Sequence, residues 1–269
     1  MADPPSLHET IAVVIARSLR DGDVGFTGLT TGEAAAMFGT MIPLAAMELA
    51  RHLHAPRLTC LLAGWCHNPS ICELDHVPDS EFDPALLALP CDDLDMGWPA
   101  QISIKRGDVT VGFCSGAQVD REGNLNTVRI GRAERPDVQL VGPILIPEHL
   151  ALFGREIVMI PRHDTRTLVD HVDHVSGVGF PGGRSGREVL GLPGSGPEMI
   201  VTPKCIFGFD DDGVVFVRSV HQGVTASELR ENTGFSLDID DSIPRTPVPD
   251  DEELLVLRRD VDPHGLLRR

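Results

Sequence analysis

Positive charge is scarce in this sequence. Its 269 residues carry 23 Lys and Arg against 40 Asp and Glu, a formal net charge of −17. Such a surface repels polyphosphate backbones, so nucleic acid is not an expected partner. Missing too is any run approaching the ~18 apolar residues of a membrane span. The start, Met1-Ala2-Asp3-Pro4-Pro5, lacks the basic segment of a signal peptide. No two cysteines are spaced C-x-x-C, and six cysteines in a chain this long fit reduced thiols better than a disulfide framework. Together these absences lead us to expect a cytoplasmic protein without a membrane partner. What is present, 42% hydrophobic residues, suffices to bury roughly three quarters of the surface of the unfolded chain, which excludes disorder.

The patterning is that of an α/β protein. Ser6-Leu7-His8-Glu9 reads as a capping box opening a helix from Leu7 to about Leu19, with Leu7, Ile11, Val14, Ile15 and Leu19 on its buried face. A strand at Val24 to Phe26, a helix from Thr40 to His54 with Pro43 in its first turn, and an apolar strand at Leu58 to Leu62 make a βαβ unit. Between Trp65 and Trp98 the chain reads as irregular. Further strands are predicted at Gln101 to Ile104, Val109 to Phe113, Val138 to Val141, Ile157 to Ile160, Ile200 to Phe209 and Val214 to Val220. Asp210-Asp211-Asp212-Gly213 joins the last two as a hairpin. A second capping box at Thr225 to Glu228 opens a helix ending near Asn232 to Gly234, and a last helix spans Asp250 to Arg259. The expectation is one domain over residues 1–269, an open mixed sheet with helices on both faces.

Several chemical motifs are partly present. Gly177 to Gly182 matches G-x-G-x-x-G, but Pro181 and the paired glycines argue against a helix starting there, so a glycine-rich surface loop is expected. His163, His171 and His174, with Asp170 and Asp173 nearby, could suggest a metal cluster, but the stretch Thr165 to Val175 is polar and reads as a solvated helical face, and no metal is expected. Cys60, Cys66 and Cys72 fit no zinc spacing. Cys60 reads as core, and Cys66 beside His67 is a poor catalytic pair because sequence neighbours rarely face each other. There is no G-x-S-x-G elbow and no Walker loop. The densest polar cluster runs from Gly116 to Thr127, where Gln118, Asn124 and Asn126 either bind a carbonyl or carboxylate or satisfy their own backbone.

At this cluster the chain resembles the β subunit of family I CoA-transferases, in particular the glutaconate CoA-transferase type. The resemblance covers nearly the whole chain through Gly39 to Leu44, His54 to Pro56, Gly116 to Asp120, Gly123 to Asn126, Gly191 to Gly194, Gly196 to Thr202, His221 to Thr225 and Glu231 to Phe235. It implies an α/β fold, a related α subunit in a heterodimer or heterotetramer, and an active site at the seam between them. In that family a β-subunit glutamate attacks an acyl-CoA thioester. Here its place is taken by Ala63, and Leu61-Leu62-Ala63-Gly64 holds no carboxylate. The family's glycine-rich oxyanion run is reduced to Val141-Gly142-Pro143-Ile144, with Gly142 its remnant. About ten inserted residues around Thr27 to Phe38 bring in Glu33 as a candidate substitute carboxylate.

A related branch, heteromeric hydrolases that open a ring of acyl-CoA intermediates in steroid breakdown, also lacks the glutamate and uses an α-subunit carboxylate. Val175-Ser176-Gly177-Val178-Gly179 is similar to that branch. The resemblance therefore implies a hydrolytic or ring-opening β subunit, with CoA as part of the substrate and no permanently bound cofactor. Gln118, Asn124, Asn126 and Gly142 would line the seam. The alternatives are an orthodox CoA-transferase using Glu33 and a non-catalytic scaffold subunit.

Overall fold

The computed structural model describes residues 3–28, 32–78, 83–94 and 104–269. The chain forms two compact units, Met1–Phe113 with Thr246–Arg269, and Cys114–Arg245.

In the first unit the capping box at Ser6 forms as expected. The Ser6 hydroxyl accepts the Glu9 N–H at 3.0 Å while the Glu9 carboxylate accepts the Ser6 N–H at 2.8 Å, opening the helix Leu7–Ser18. Strands β1 (Val24–Thr27) and β2 (Thr59–Leu62) pair in parallel, with Gly25 opposite Cys60. The two-residue strands β3 (Cys66–His67) and β4 (Asp93–Leu94) continue the sheet beyond β2, each antiparallel to the strand before it, and β5 (Val111–Cys114) joins the other side of β1 in parallel. The predicted strand Gln101 to Ile104 lies, but for Ile104, outside the described residues.

The second helix departs from expectation. It begins at Glu33, so Thr40 is interior rather than a cap, and it passes through a π-helical turn at Met37–Met41 before continuing as Ile42–Leu53. By length and composition this helix could cross a membrane, but 78% of its most apolar window is buried in the fold, which explains its composition as a core element. Both chain termini close the unit. Asp250 and Glu253 form a capping box, and Arg258 grips the buried Glu9 in a two-pronged pair at 2.7 and 2.8 Å.

The second unit is also mixed. β6 (Gln118–Asp120) pairs antiparallel with β7 (Leu125–Asn126). Strands β8 (Arg129–Arg132) and β9 (Arg135–Gln139) form a hairpin, which moves the strand expected at Val138 to Val141 toward the N-terminus. β10 (Arg155–Met159) covers most of the strand expected at Ile157 to Ile160, and β11 (Leu168–Val169) pairs in parallel with β6. The expected strand Ile200 to Phe209 is two strands, β12 (Pro197–Val201) and β13 (Cys205–Phe209), because Pro203 has no N–H for a continuous ladder. β12 is parallel to β10, and β13 and β14 (Val215–Val220) follow antiparallel. The hairpin at Asp210 to Gly213 forms, with the Asp210 carboxylate accepting the N–H groups of Asp212 and Val214. At Thr225 only half the capping box forms, since the Glu228 carboxylate turns instead to Lys204. Phe180, Phe207, Phe209 and Phe235 pack with Val158, Ile200 and Leu229 at the unit's core. The mixed α/β class read from the sequence is the class observed.

Candidate functional site

Open parallel sheets bind ligands beyond the C-terminal ends of their strands. In the first unit β1 ends at Thr27, which is fully buried. Its hydroxyl donates to the Gly39 carbonyl at 2.8 Å. That carbonyl is available because Pro43, four residues on, has no N–H to give it. Thr40 returns the contact, its hydroxyl donating to the Gly28 carbonyl at 3.1 Å. The π-turn is thus stitched to the end of β1, a placement common for π-bulges at functional sites.

Next to it, β2 ends in a tight turn. Ala63 takes φ of +51° and Gly64 +75°, and the Trp65 N–H returns to the Leu62 carbonyl at 3.2 Å. Two successive positive φ values make this a primed turn, which feeds β3 back along β2. Left-handed backbone costs a non-glycine residue roughly 1–2 kcal/mol, and Ala63 has no polar side chain to offset it. What holds it is its N–H donating to the Thr27 carbonyl at 2.8 Å and, further on, Asn68, whose side chain accepts the Cys60 N–H at 2.7 Å. Backbone strain of this kind clusters at functional sites. Glu33 stands exposed at the first turn of its helix, next to Gly32 at φ +95°, without an ion-pair partner among the described residues.

The amide cluster of the second unit is brought together, and the hydrogen-bonding capacity of Asn124 and Asn126 is spent within the chain. Asn126, fully buried, donates to the Gln118 side-chain oxygen at 2.7 Å and the Arg129 carbonyl at 2.6 Å, and accepts the N–H groups of Val128 and Arg129. Asn124 donates to Asp120 at 3.1 Å and to Glu122 at 3.2 Å, and accepts the Gly179 N–H at 2.9 Å. Burial pushes the Asp120 carboxyl up, against four hydrogen bonds from Asn124, Val172 and Glu122 that favour its charged form. Gln118 donates one N–H to Asp173 at 3.1 Å and has a second to offer. Gly142 has φ of +101°, and its N–H goes to the Thr127 carbonyl at 2.9 Å.

The histidines separate. His171 is exposed as expected, but His163 is buried, held between the hydroxyls of Thr202 at 2.8 Å and Thr233 at 3.1 Å. Burial, then the nearby Lys204 charge, lowers its pKa to about 4. The segment expected to be a helix is β11 with turns, because Val169 pairs with Asp120. Cys60 is core as read. The Cys66 thiol, buried and beside Cys91, is pushed up to about 12, so it offers no thiolate. The glycine motif is a packing device. A Cβ on Gly179 would lie 2.1 Å from the Glu122 carbonyl oxygen. A six-residue helix does begin just beyond it, at Arg184, contrary to the sequence reading.

No protein-family model matches the chain. It is 32% identical to the β subunit of 3-oxoadipate CoA-transferase of Pseudomonas knackmussii, over 94% of this chain and 92% of that protein. It is 27% identical to the β subunit of glutaconate CoA-transferase of Acidaminococcus fermentans, over 95% and 92%. A shorter match, 31% identity over 56% of this chain and 60% of the relative, is to the IpdB component of the cholesterol ring-cleaving hydrolase of Mycobacterium tuberculosis. Among solved structures, glutaconate coenzyme A-transferase from Acidaminococcus fermentans superposes with a TM-score of 0.78 at 25% identity, covering 99% of both chains. IpdAB of Rhodococcus jostii shares the fold, with a TM-score of 0.76 at 22% identity over 98% of both chains.

Proposed function

The chain belongs to the family of CoA-transferase β subunits, and from that premise we propose that it is the β subunit of a two-subunit enzyme that hydrolyses an acyl-CoA or opens its ring by carbon–carbon cleavage. In this reading the partner α subunit supplies the working carboxylate. The observation that carries the reading is the turn after β2. Its backbone is strained at Ala63, yet Leu61 to Gly64 includes no nucleophile. A methyl group forms no acyl intermediate, so water is the attacking species and the α-subunit carboxylate its base.

The second unit's amides take different parts. Asn124 and Asn126 brace the hairpin, and Gln118, with an N–H to spare, orients the acyl group. A chain of net charge −17 supplies few cations for CoA's phosphates, so the nucleotide end rests on the partner. Six free thiols suit a cytoplasmic location.

A second reading, CoA transfer between carboxylic acids, is favoured by one observation, the exposed Glu33 on the loop side of β1. Borohydride reduction of the αβ complex during turnover separates the two. We expect CoA release with no reduced glutamate on this chain. A reduced Glu33, abolished in Glu33→Gln, returns the enzyme to ordinary transfer. Gln118→Ala tests for a scaffold role. A loss of kcat of about tenfold or more with the complex intact is expected, and unchanged turnover would assign the subunit to support alone.

A further inference from the structure

Within the second unit, three side chains from distant parts of the sequence meet in the interior. Cys114 closes β5, His149 lies on the helix Ile146–Leu152, and Glu156 is in β10. All three are buried, with Glu156 wholly inaccessible to solvent. One sulfur, one nitrogen and one carboxylate oxygen from the three lie within 4.8 Å of one another. No part of the proposed mechanism uses them.

We propose that Cys114, His149 and Glu156 form a buried site for one divalent transition-metal ion, with Zn2+ the best-matched cation. Thiolate, imidazole and carboxylate are the three ligand classes zinc takes in proteins, at about 2.0–2.3 Å. The atoms here are near enough to reach such distances around a common point by small side-chain rotations. The imidazole is already oriented, since His149 Nδ1 is 3.0 Å from Glu156 Oε1 and its ring packs against Phe153 with centroids 4.4 Å apart.

The carboxylate supplies an independent sign of a ligand. Glu156 Oε2 is buried with no hydrogen-bond partner, an arrangement that costs a protein its full desolvation penalty, and more for a charged group. The adjacent Cys114 thiol is a weak donor and leaves that oxygen short of a full partner. With metal bound, both carboxylate oxygens are engaged. Electrostatics agree, because one thiolate, one carboxylate, a neutral imidazole and a dication sum to zero, the arrangement a buried site tolerates best. Burial, and the Glu156 charge after it, hold the free thiol well above its usual range. Coordination therefore forms the sulfur–metal bond by releasing the Cys114 proton to solvent, and affinity rises with pH.

The test uses the full chain, stripped with chelator and titrated with Zn2+, then with Co2+ as a spectroscopic probe. We expect one ion retained per chain after gel filtration, a raised Tm, and a sulfur-to-cobalt charge-transfer band. Cys114→Ser should abolish the band, and Glu156→Gln should weaken affinity by about tenfold or more, since losing even an outer partner of a ligand costs 10–100-fold. Should either variant misfold, the wild-type cobalt spectrum and a Tm that responds to Zn2+ still decide the matter. No retained metal, no thiolate band in the wild type, or equal retention by folded Cys114→Ser and Glu156→Gln chains would each overturn the proposal.

Discussion

Each unit contains a parallel strand that ends in a tight turn and doubles back as an antiparallel partner, and the two turns are built in opposite ways. After β2 the turn is Ala63-Gly64-Trp65, with a left-handed alanine and no polar side chain at that alanine. After β12 it is Thr202-Pro203-Lys204, where one hydroxyl carries the local structure. The Thr202 hydroxyl donates to the Cys205 carbonyl at 2.9 Å and accepts N–H groups from Cys205 and Lys204. With its proton committed there, His163 must donate to it from Nδ1. One turn is held by satisfied polar groups and serves stability. The other keeps its strain where the family resemblance implies chemistry. On the proposed function, polar density alone is a poor guide to where this protein works.

The sharpest way to break the contrast is to remove the hydroxyl. Thr202→Val keeps the shape but leaves the buried Nδ1 of His163 and the Lys204 and Cys205 N–H groups without an acceptor. At about 1–3 kcal/mol for each group left unpaired, some of them reachable by water, we expect a loss of about 3 kcal/mol in chemical denaturation. A loss below about 1 kcal/mol would mean that this turn is no more braced than the other.

Acid attacks the same turn more gently. His163 is neutral in the fold, with its pKa lowered from an ordinary 6.5 to about 4. The unfolded chain therefore binds the extra proton first as pH falls. The stabilisation is complete above pH 6.5 and drains away between about 6.5 and 4, at most about 3 kcal/mol at 1.4 kcal/mol per unit. Buried His221 is shifted the same way and adds to the slope. His163→Gln should flatten the pH dependence of the denaturation midpoint over this window. An unchanged slope would exonerate His163.

How much of this was legible beforehand follows the range of the interactions. The Ser6 capping box and the Asp210 hairpin were readable because their determinants are neighbours in sequence, and β1 and β2 because each strand carries its own apolar pattern on either side of one helix. The early start of the second helix was hidden because Pro43 looks like a first-turn residue, and only the fold reveals that Thr27 takes over the carbonyl it releases. The burial of His163 was hidden because its partners Thr202 and Thr233 lie 39 and 70 residues away. Cys114, His149 and Glu156 have no recognisable spacing either, since three separate elements deliver them. The absent carboxylate at Ala63 was plain from the residues, whereas the strain there was not, alanine being an unusual choice for a left-handed position.

That strain yields the smallest effect and the closest test of the contrast. In Ala63→Gly the left-handed conformation becomes free of Cβ crowding, a gain of roughly 1–2 kcal/mol. Glycine's greater freedom in the unfolded chain takes back about 0.4–1 kcal/mol. The net expectation is a stabilisation of up to about 1.6 kcal/mol, seen as a small rise in denaturation midpoint at unchanged slope. A turn whose geometry matters to catalysis should respond differently in turnover. The loosened backbone at the end of β2 is expected to lower kcat in the αβ complex even as stability rises. If Ala63→Gly proved both more stable and fully active, the strain would be incidental and the second unit's amides would regain their claim as the working region.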